Sequence, residues 1–131
     1  MYRQIKSDTG TVAPIEYLEA AAGTYHIGQC LTVVDGKLAA IAEARATTPE
    51  YICEAEKTVA DGGVLPVTRA SKTHIYETTL STAAENAVVG NKLRVAAGGE
   101  QAEYTDGNTG TFELVALSGN GEGDTVRGRW I

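Results

Sequence analysis

Two segments of this chain carry the same skeleton, 62 positions apart. Gly28-x-x-Leu31-x-Val33-x-x-Gly36 recurs as Gly90-x-x-Leu93-x-Val95-x-x-Gly98. In each copy, alternating apolar residues lie between two glycines. The pattern reads as a short strand entering a tight turn, because residues two apart share a strand face and glycine tolerates the backbone angles of a turn. The first copy carries Asp35-Gly36, a strong hairpin signal. Such a chain is expected to fold as a β structure with two related halves, each copy forming a strand–turn unit.

Composition limits how that structure is filled. The chain has 131 residues, enough for one domain with a real core. It has one Phe, one Trp, one Met and six Tyr, so the core must come mostly from Val, Leu, Ile, Ala and Tyr. Leu31, Val33, Tyr51, Leu93, Val95, Phe112, Leu114 and Trp130 hold apolar positions of alternating strands and are expected to be buried. A core poor in large residues is modest in area, and self-association would add burial.

Net charge is −6 and the pI is about 4.9. The densest basic group is Arg127-Gly-Arg129, far short of the basic face that a nucleic-acid partner requires. No apolar run approaches membrane-spanning length, and MYRQIKSDTG does not read as a signal peptide. The acidity suits docking on a basic or mixed protein surface. Cys30 and Cys53 both fall in expected strands and read as buried free thiols of a chain made in a reducing compartment. A disulfide between them stays open, since spacing cannot place their Cα atoms.

The chain divides into a polar, flexible N-terminal arm at 1–11 and a single β-rich domain at 12–131. Thr24–Val34 and Lys37–Ile41 form the first hairpin. Residues 39–46 have helix propensity but must supply a return strand, so a strand fading into a loop is expected. Tyr51–Glu56, Val64–Arg69, His74–Leu80, Thr111–Leu117 and Thr125–Ile131 read as further strands. Ser81–Val89 holds one short helix, with Thr82 and Glu85 at capping-box spacing. The expected fold is mostly β: a small β-barrel, β-tulip-like or sandwich domain with one short helix.

Candidate chemistry is thin. His26, Cys30, Cys53 and His74 are the inventory of a zinc site, but their spacing lacks a close ligand pair such as C-x2-C. On a strand, His26 and Cys30 would lie about 13 Å apart. The loops Asp106–Gly110 and Gly121–Asp124 lack the regular oxygen ligands of a calcium loop and read as turns. Ser7, Ser71, Ser81 and Ser118 sit in no nucleophile motif. Glu54 and Glu56 share a strand face and read as solvated acids, and GNGEG lacks the lysine of a phosphate loop. Tyr25, Tyr51, Tyr76 and Tyr104 fit core or interface positions. No catalytic, cofactor-binding or metal-ligating residue is assigned, and no cofactor is expected.

The stretch YHIGQCLTVVDGKLAAI…TTPEYICEAE, from Tyr25 to Glu56, resembles the head-decoration (capsid auxiliary) proteins of tailed bacteriophages. LPVTRA and the closing GDTVRGRW are similar to the same group. The resemblance implies a non-enzymatic cement protein that binds the major capsid protein on the outside of the mature head and clamps neighbouring capsomers. It implies a homo-oligomer, with a trimer favoured, made in the host cytoplasm and found on the virion. Met1–Thr11 then corresponds to an arm that orders on the shell. Other classes stay open: a β-rich module binding carbohydrate or protein, another phage head-tail or tail protein, and a small metal-dependent enzyme.

Overall fold

A computed structural model describes residues 1–131. Its strands are β1 (Arg3–Ser7), β2 (Glu16–Ala20), β3 (Gly23–Tyr25), β4 (Cys30–Val34), β5 (Lys37–Ala40), β6 (Tyr51–Cys53) and β7 (Lys57–Val59). They continue as β8 (Gly63–Arg69), β9 (His74–Thr79), β10 (Lys92–Val95), β11 (Ala102–Glu103), β12 (Phe112–Leu117) and β13 (Thr125–Trp130). The fold is all β and barrel-like, as its short alternating segments and glycine turns require.

The two halves share one strand order. In the first, β2-β5-β4-β6-β8 closes into a barrel. Its neighbours run antiparallel except for one parallel contact, Ala20 beside Leu38. In the second, β9-β13-β12-β10-β11 runs in the same order, and a parallel bridge between Leu80 and Ala102 brings β11 back to the end of β9. Thus β2, β4, β5, β6 and β8 correspond to β9, β10, β11, β12 and β13. Leu31 faces Tyr51 as Leu93 faces Phe112, and Tyr51 faces Arg69 as Phe112 faces Trp130.

Hydrogen bonds outside the ladders repeat too. Gly28 N–H donates to Cys53 C=O at 2.7 Å, as Gly90 N–H does to Leu114 C=O at 2.8 Å. Gly62 N–H reaches Ala20 C=O at 2.9 Å, as Gly123 reaches Leu80 at 2.8 Å. Ala21 N–H meets Leu38 C=O, and Ser81 N–H meets Ala102 C=O, both at 2.9 Å. The side chain of Gln29 accepts the His26 N–H, and Asn91 accepts the Val88 N–H, both at 2.9 Å. The glycines of the sequence skeleton all have positive φ: Gly28 (77°), Gly36 (79°), Gly90 (96°) and Gly98 (89°). Both copies are therefore strand–turn units. Asp35 and Gly36 both have positive φ, as a type I′ turn requires, whereas Ala97-Gly98 has only its second residue there.

Two apolar clusters fill the molecule. Ala20, Tyr25, Leu31, Leu38, Cys53, Val59, Leu65 and Val67 fill the first barrel. The second cluster holds Leu80, Leu93, Val95, Phe112, Leu114, Val126 and Trp130, together with Tyr2, Cys30, Ile41 and Ile52 from the other end of the chain. Alternation explains the split of β4 and β6: Leu31 and Cys53 face the barrel while Cys30 and Ile52 face the seam between the halves. The seam is also tied by backbone. Arg45 pairs antiparallel with Val95, and Cys30 N–H donates to Gly99 C=O at 2.7 Å.

Several expectations need correction. The segment 1–11 is not a free arm. Arg3–Ser7 is a strand paired with β9, and Tyr2 is 2% exposed between Phe112 and Trp130. One aromatic anchor and a ladder outweigh the polar composition of the segment. Ser81–Val89 is not helical but a run of bends and turns. Ala84 N–H donates instead to Asn120 C=O at 2.7 Å, and one isolated helical turn is a costly nucleus. Leu31, Leu93, Val95, Phe112, Leu114 and Trp130 are buried as expected, but Val33 is 44% exposed and Tyr51 is half-buried. The return strand β5 ends at Ala40 and fades into a loop, as read from the sequence.

Candidate interaction surface

The residues with chemical potential lie in separate settings. His26 sits on the turn before β4, and its Nδ1 lies 2.9 Å from Glu56 Oε2. The other Glu56 oxygen accepts the Ile27 N–H at 2.8 Å. The bond to Glu56 raises the His26 pKa, and the bond to His26 holds Glu56 below the usual carboxylate range. His74 is buried beside Tyr76, with ring centroids 6.2 Å apart. Cys30 faces the seam and Cys53 the first barrel, and both are free thiols. Burial pushes both thiols up, so neither supplies a thiolate at neutral pH. No group of three or more His, Cys, Asp and Glu is placed to hold a metal.

The loops read as turns have turn chemistry. Asn108 has φ 51°, and its side chain accepts the Lys92 N–H. Asp124 accepts the Gly121 N–H at 2.8 Å. Glu54 accepts the Thr68 hydroxyl at 2.7 Å and so does not pair with Glu56.

Apolar surface gathers in two clefts. The first, about 420 Å³, lies between the N-terminus, residues 12–15 and the turn before β4. Met1, Val12, Ile15 and Ile27 line it and are all exposed; Val12 reaches 85%. The second is a groove of about 400 Å³ on the first barrel, lined by Tyr17, Leu18, Glu19, Val33, Leu38 and Tyr51. Tyr17 is 70% exposed. The Arg69 guanidinium stands 5.6 Å from the Tyr51 ring centroid and is held by Glu16 at 2.8 Å. That pairing lowers the Glu16 pKa.

Aromatic faces, exposed aliphatic groups and carboxylates at a rim suit the binding of another molecule's surface. Tyr17 is the residue that sequence reasoning missed. Its signal is local: in Glu16-Tyr-Leu-Glu19 the alternation gives Tyr17 and Leu18 opposite faces, and Leu18 packs toward the barrel core. No family model and no curated protein matches this chain, so its surfaces and its sequence pattern carry the functional reading.

Proposed function

We propose that this chain is a structural decoration protein of a tailed-phage head. It binds the major capsid protein on the outer surface of the mature shell and stabilises contacts between capsomers. The observation that carries the reading is the cleft of exposed apolar residues, Met1, Val12, Ile15 and Ile27, on a framework whose His and Cys side chains are dispersed. A contiguous apolar patch rimmed by polar groups marks an interaction site. The resemblance at Tyr25–Glu56 supplies the class of partner. The same reading makes the protein a non-enzymatic homo-oligomer, with a trimer favoured, on the virion exterior after synthesis in the host cytoplasm. A net charge of −6 disfavours nucleic acid as a partner.

The test is co-sedimentation with matured shells of the cognate phage. The wild-type chain is expected to pellet with shells and not to bind free capsid subunits. A Val12→Asp/Ile15→Asp double variant is expected to bind at least tenfold more weakly with an unchanged fold, because both side chains are exposed. Absence of wild-type chain from the pellet refutes the reading. Truncating Met1–Thr11 is the wrong test, since it removes Tyr2 from the core. A carbohydrate- or protein-binding module is the second reading, favoured by Tyr17 and Tyr51 in one groove.

A further inference from the structure

The two rings differ at one point, where the two strands joined by the parallel contact diverge. In the second half β1 fills that opening. Arg3 lies opposite Glu77, Gln4 opposite Tyr76 and Ser7 opposite His74, along the edge of β9 that β13 leaves free. The Tyr2 ring lies 5.4 Å from both Phe112 and Trp130, and its hydroxyl donates to Gln101 C=O at 2.9 Å. Arg3 pairs with Glu77 at 2.6 Å.

In the first half the same opening is empty. β2 meets β5 at Ala20 and Leu38, and no strand lies beside its outer edge from Glu16 to Glu19. Glu16 and Tyr17 stand where Tyr76 and Glu77 stand in the second half; Tyr51 and Arg69 stand where Phe112 and Trp130 do. The place of Tyr2 is taken by the open groove between Tyr17, Val33, Leu38 and Tyr51. Val33 is 44% exposed where its counterpart Val95 is 1%, and Tyr51 is half-buried where Phe112 is fully buried. An uncovered strand edge beside an apolar groove is the arrangement that takes an added strand, with main-chain bonds for affinity and a side-chain pocket for specificity.

We propose that this groove is a docking slot for an extended segment of a partner protein. The segment lies antiparallel along β2, places an aromatic side chain between Val33 and Tyr51, and carries a basic residue beside it. The aromatic and basic pair follows from the occupant seen in the second half, Tyr2 followed by Arg3. The rim supports it: Glu19 lines the groove and Asp35 stands at its hairpin end, and neither is in an ion pair. A second copy is the poorer occupant, because its own β1 is held by a ladder and by the burial of Tyr2.

The probe is a synthetic peptide of the sequence Met1–Asp8, titrated into the isotope-labelled full chain while amide shifts are followed. Saturable shifts are expected at 16–19, 33–38 and 51. A Tyr2→Ala peptide is expected to bind at least tenfold more weakly. A Val33→Lys chain, with an unchanged melting temperature, is expected to lose binding to a similar degree, since it fills the groove and repels the basic residue. The proposal is overturned by no saturation at millimolar peptide, by shifts confined to 74–79 that report displacement of β1, or by equal binding of the Tyr2→Ala peptide. It is also overturned if the chain alone dimerises with the same shifts, which makes a second copy the occupant.

Discussion

The first barrel is filled mostly by small and aliphatic side chains with Tyr25 as its cap, whereas the second buries Tyr2, Tyr76, Phe112 and Trp130, yet their strand order and turn hydrogen bonds agree. The agreement holds because volume is redistributed at equivalent contacts. At the parallel crossing the first half has Ala20 beside Leu38, and the second has Leu80 beside Ala102. The large residue changes strands and the sum is kept. Val67 of the first half corresponds to Gly128, where a Cβ would stand 2.7 Å from the Phe112 ring. Interior packing at near-crystal density leaves no other way to fit that ring. The ring topology thus tolerates different interiors, provided each contact layer is filled.

The two halves also seal their ends differently. Tyr25, on the β3–β7 ladder, caps the first barrel and donates its hydroxyl to Ala21 C=O at 2.6 Å. In the second half that ladder shrinks to contacts between Ala84, Glu85 and Asn120, and β1 supplies a strand and a ring instead.

The sharpest way to break the comparison is to truncate one equivalent pair. Trp130→Ala is expected to cost about 3–5 kcal/mol, because the ring is fully buried. Arg69→Ala, at the matching position, is expected to cost far less, since its side chain is exposed and its pair with Glu16 is solvent-screened. Chemical denaturation of both variants measures the gap; similar losses would mean that the halves are not related as described.

Leu31 and Leu93 sit in different clusters at matching positions. Each change to Ala is expected to cost about 2–5 kcal/mol. Their sum should hold in the double variant within about 0.5 kcal/mol if the clusters are independent. A larger discrepancy would show the seam transmitting strain between halves.

The volume exchange gives a third measurement. Leu38→Ala alone is expected to cost about 2–5 kcal/mol by leaving a cavity, and Ala20→Leu about 1–3 kcal/mol by overpacking. Combined, they reproduce the arrangement of the second half, and the double variant is expected to be more stable than Leu38→Ala alone. Additive losses would separate the two positions.

The smallest effect is electrostatic. His26 has its pKa raised by Glu56, so its contribution is complete below its unfolded pKa of about 6.5 and is lost as pH rises through the folded value. Glu56 is lowered by His26, so its contribution is present above its unfolded pKa of about 4.3 and is lost as pH falls through the folded value. Between those limits the exposed pair adds a small stabilisation that salt weakens. Proton NMR should find His26 titrating above 6.5 and falling back in Glu56→Gln. The matching turn has Val88 in place of His26, so that turn should show no such dependence.

The sequence by itself determined the β class, the two strand–turn copies and the buried face of most strands. These are local properties. Glycine at a positive-φ position marks a turn wherever it occurs, and period-two alternation separates the two faces of any strand. Tertiary structure decided which faces are covered. Val33 and Val95 occupy the same place in the same skeleton, but Val95 is paired on both sides, with Ala102 and Arg45, whereas Val33 is paired on one side only, with Leu38. Met1–Thr11 reads as an arm because its few apolar residues promise little burial, and it became a strand because Phe112 and Trp130, more than a hundred residues away, leave room for one ring. Ser81–Val89 has helical spacing, but its amides found other acceptors: Ala84 N–H reaches Asn120 C=O across a loop, Ser81 N–H reaches Ala102 C=O, and Val88 N–H reaches the Asn91 side chain. The groove at Tyr17 was invisible for the same reason: alternation assigns a side chain to a face, and only neighbours distant in sequence decide whether that face meets protein or water.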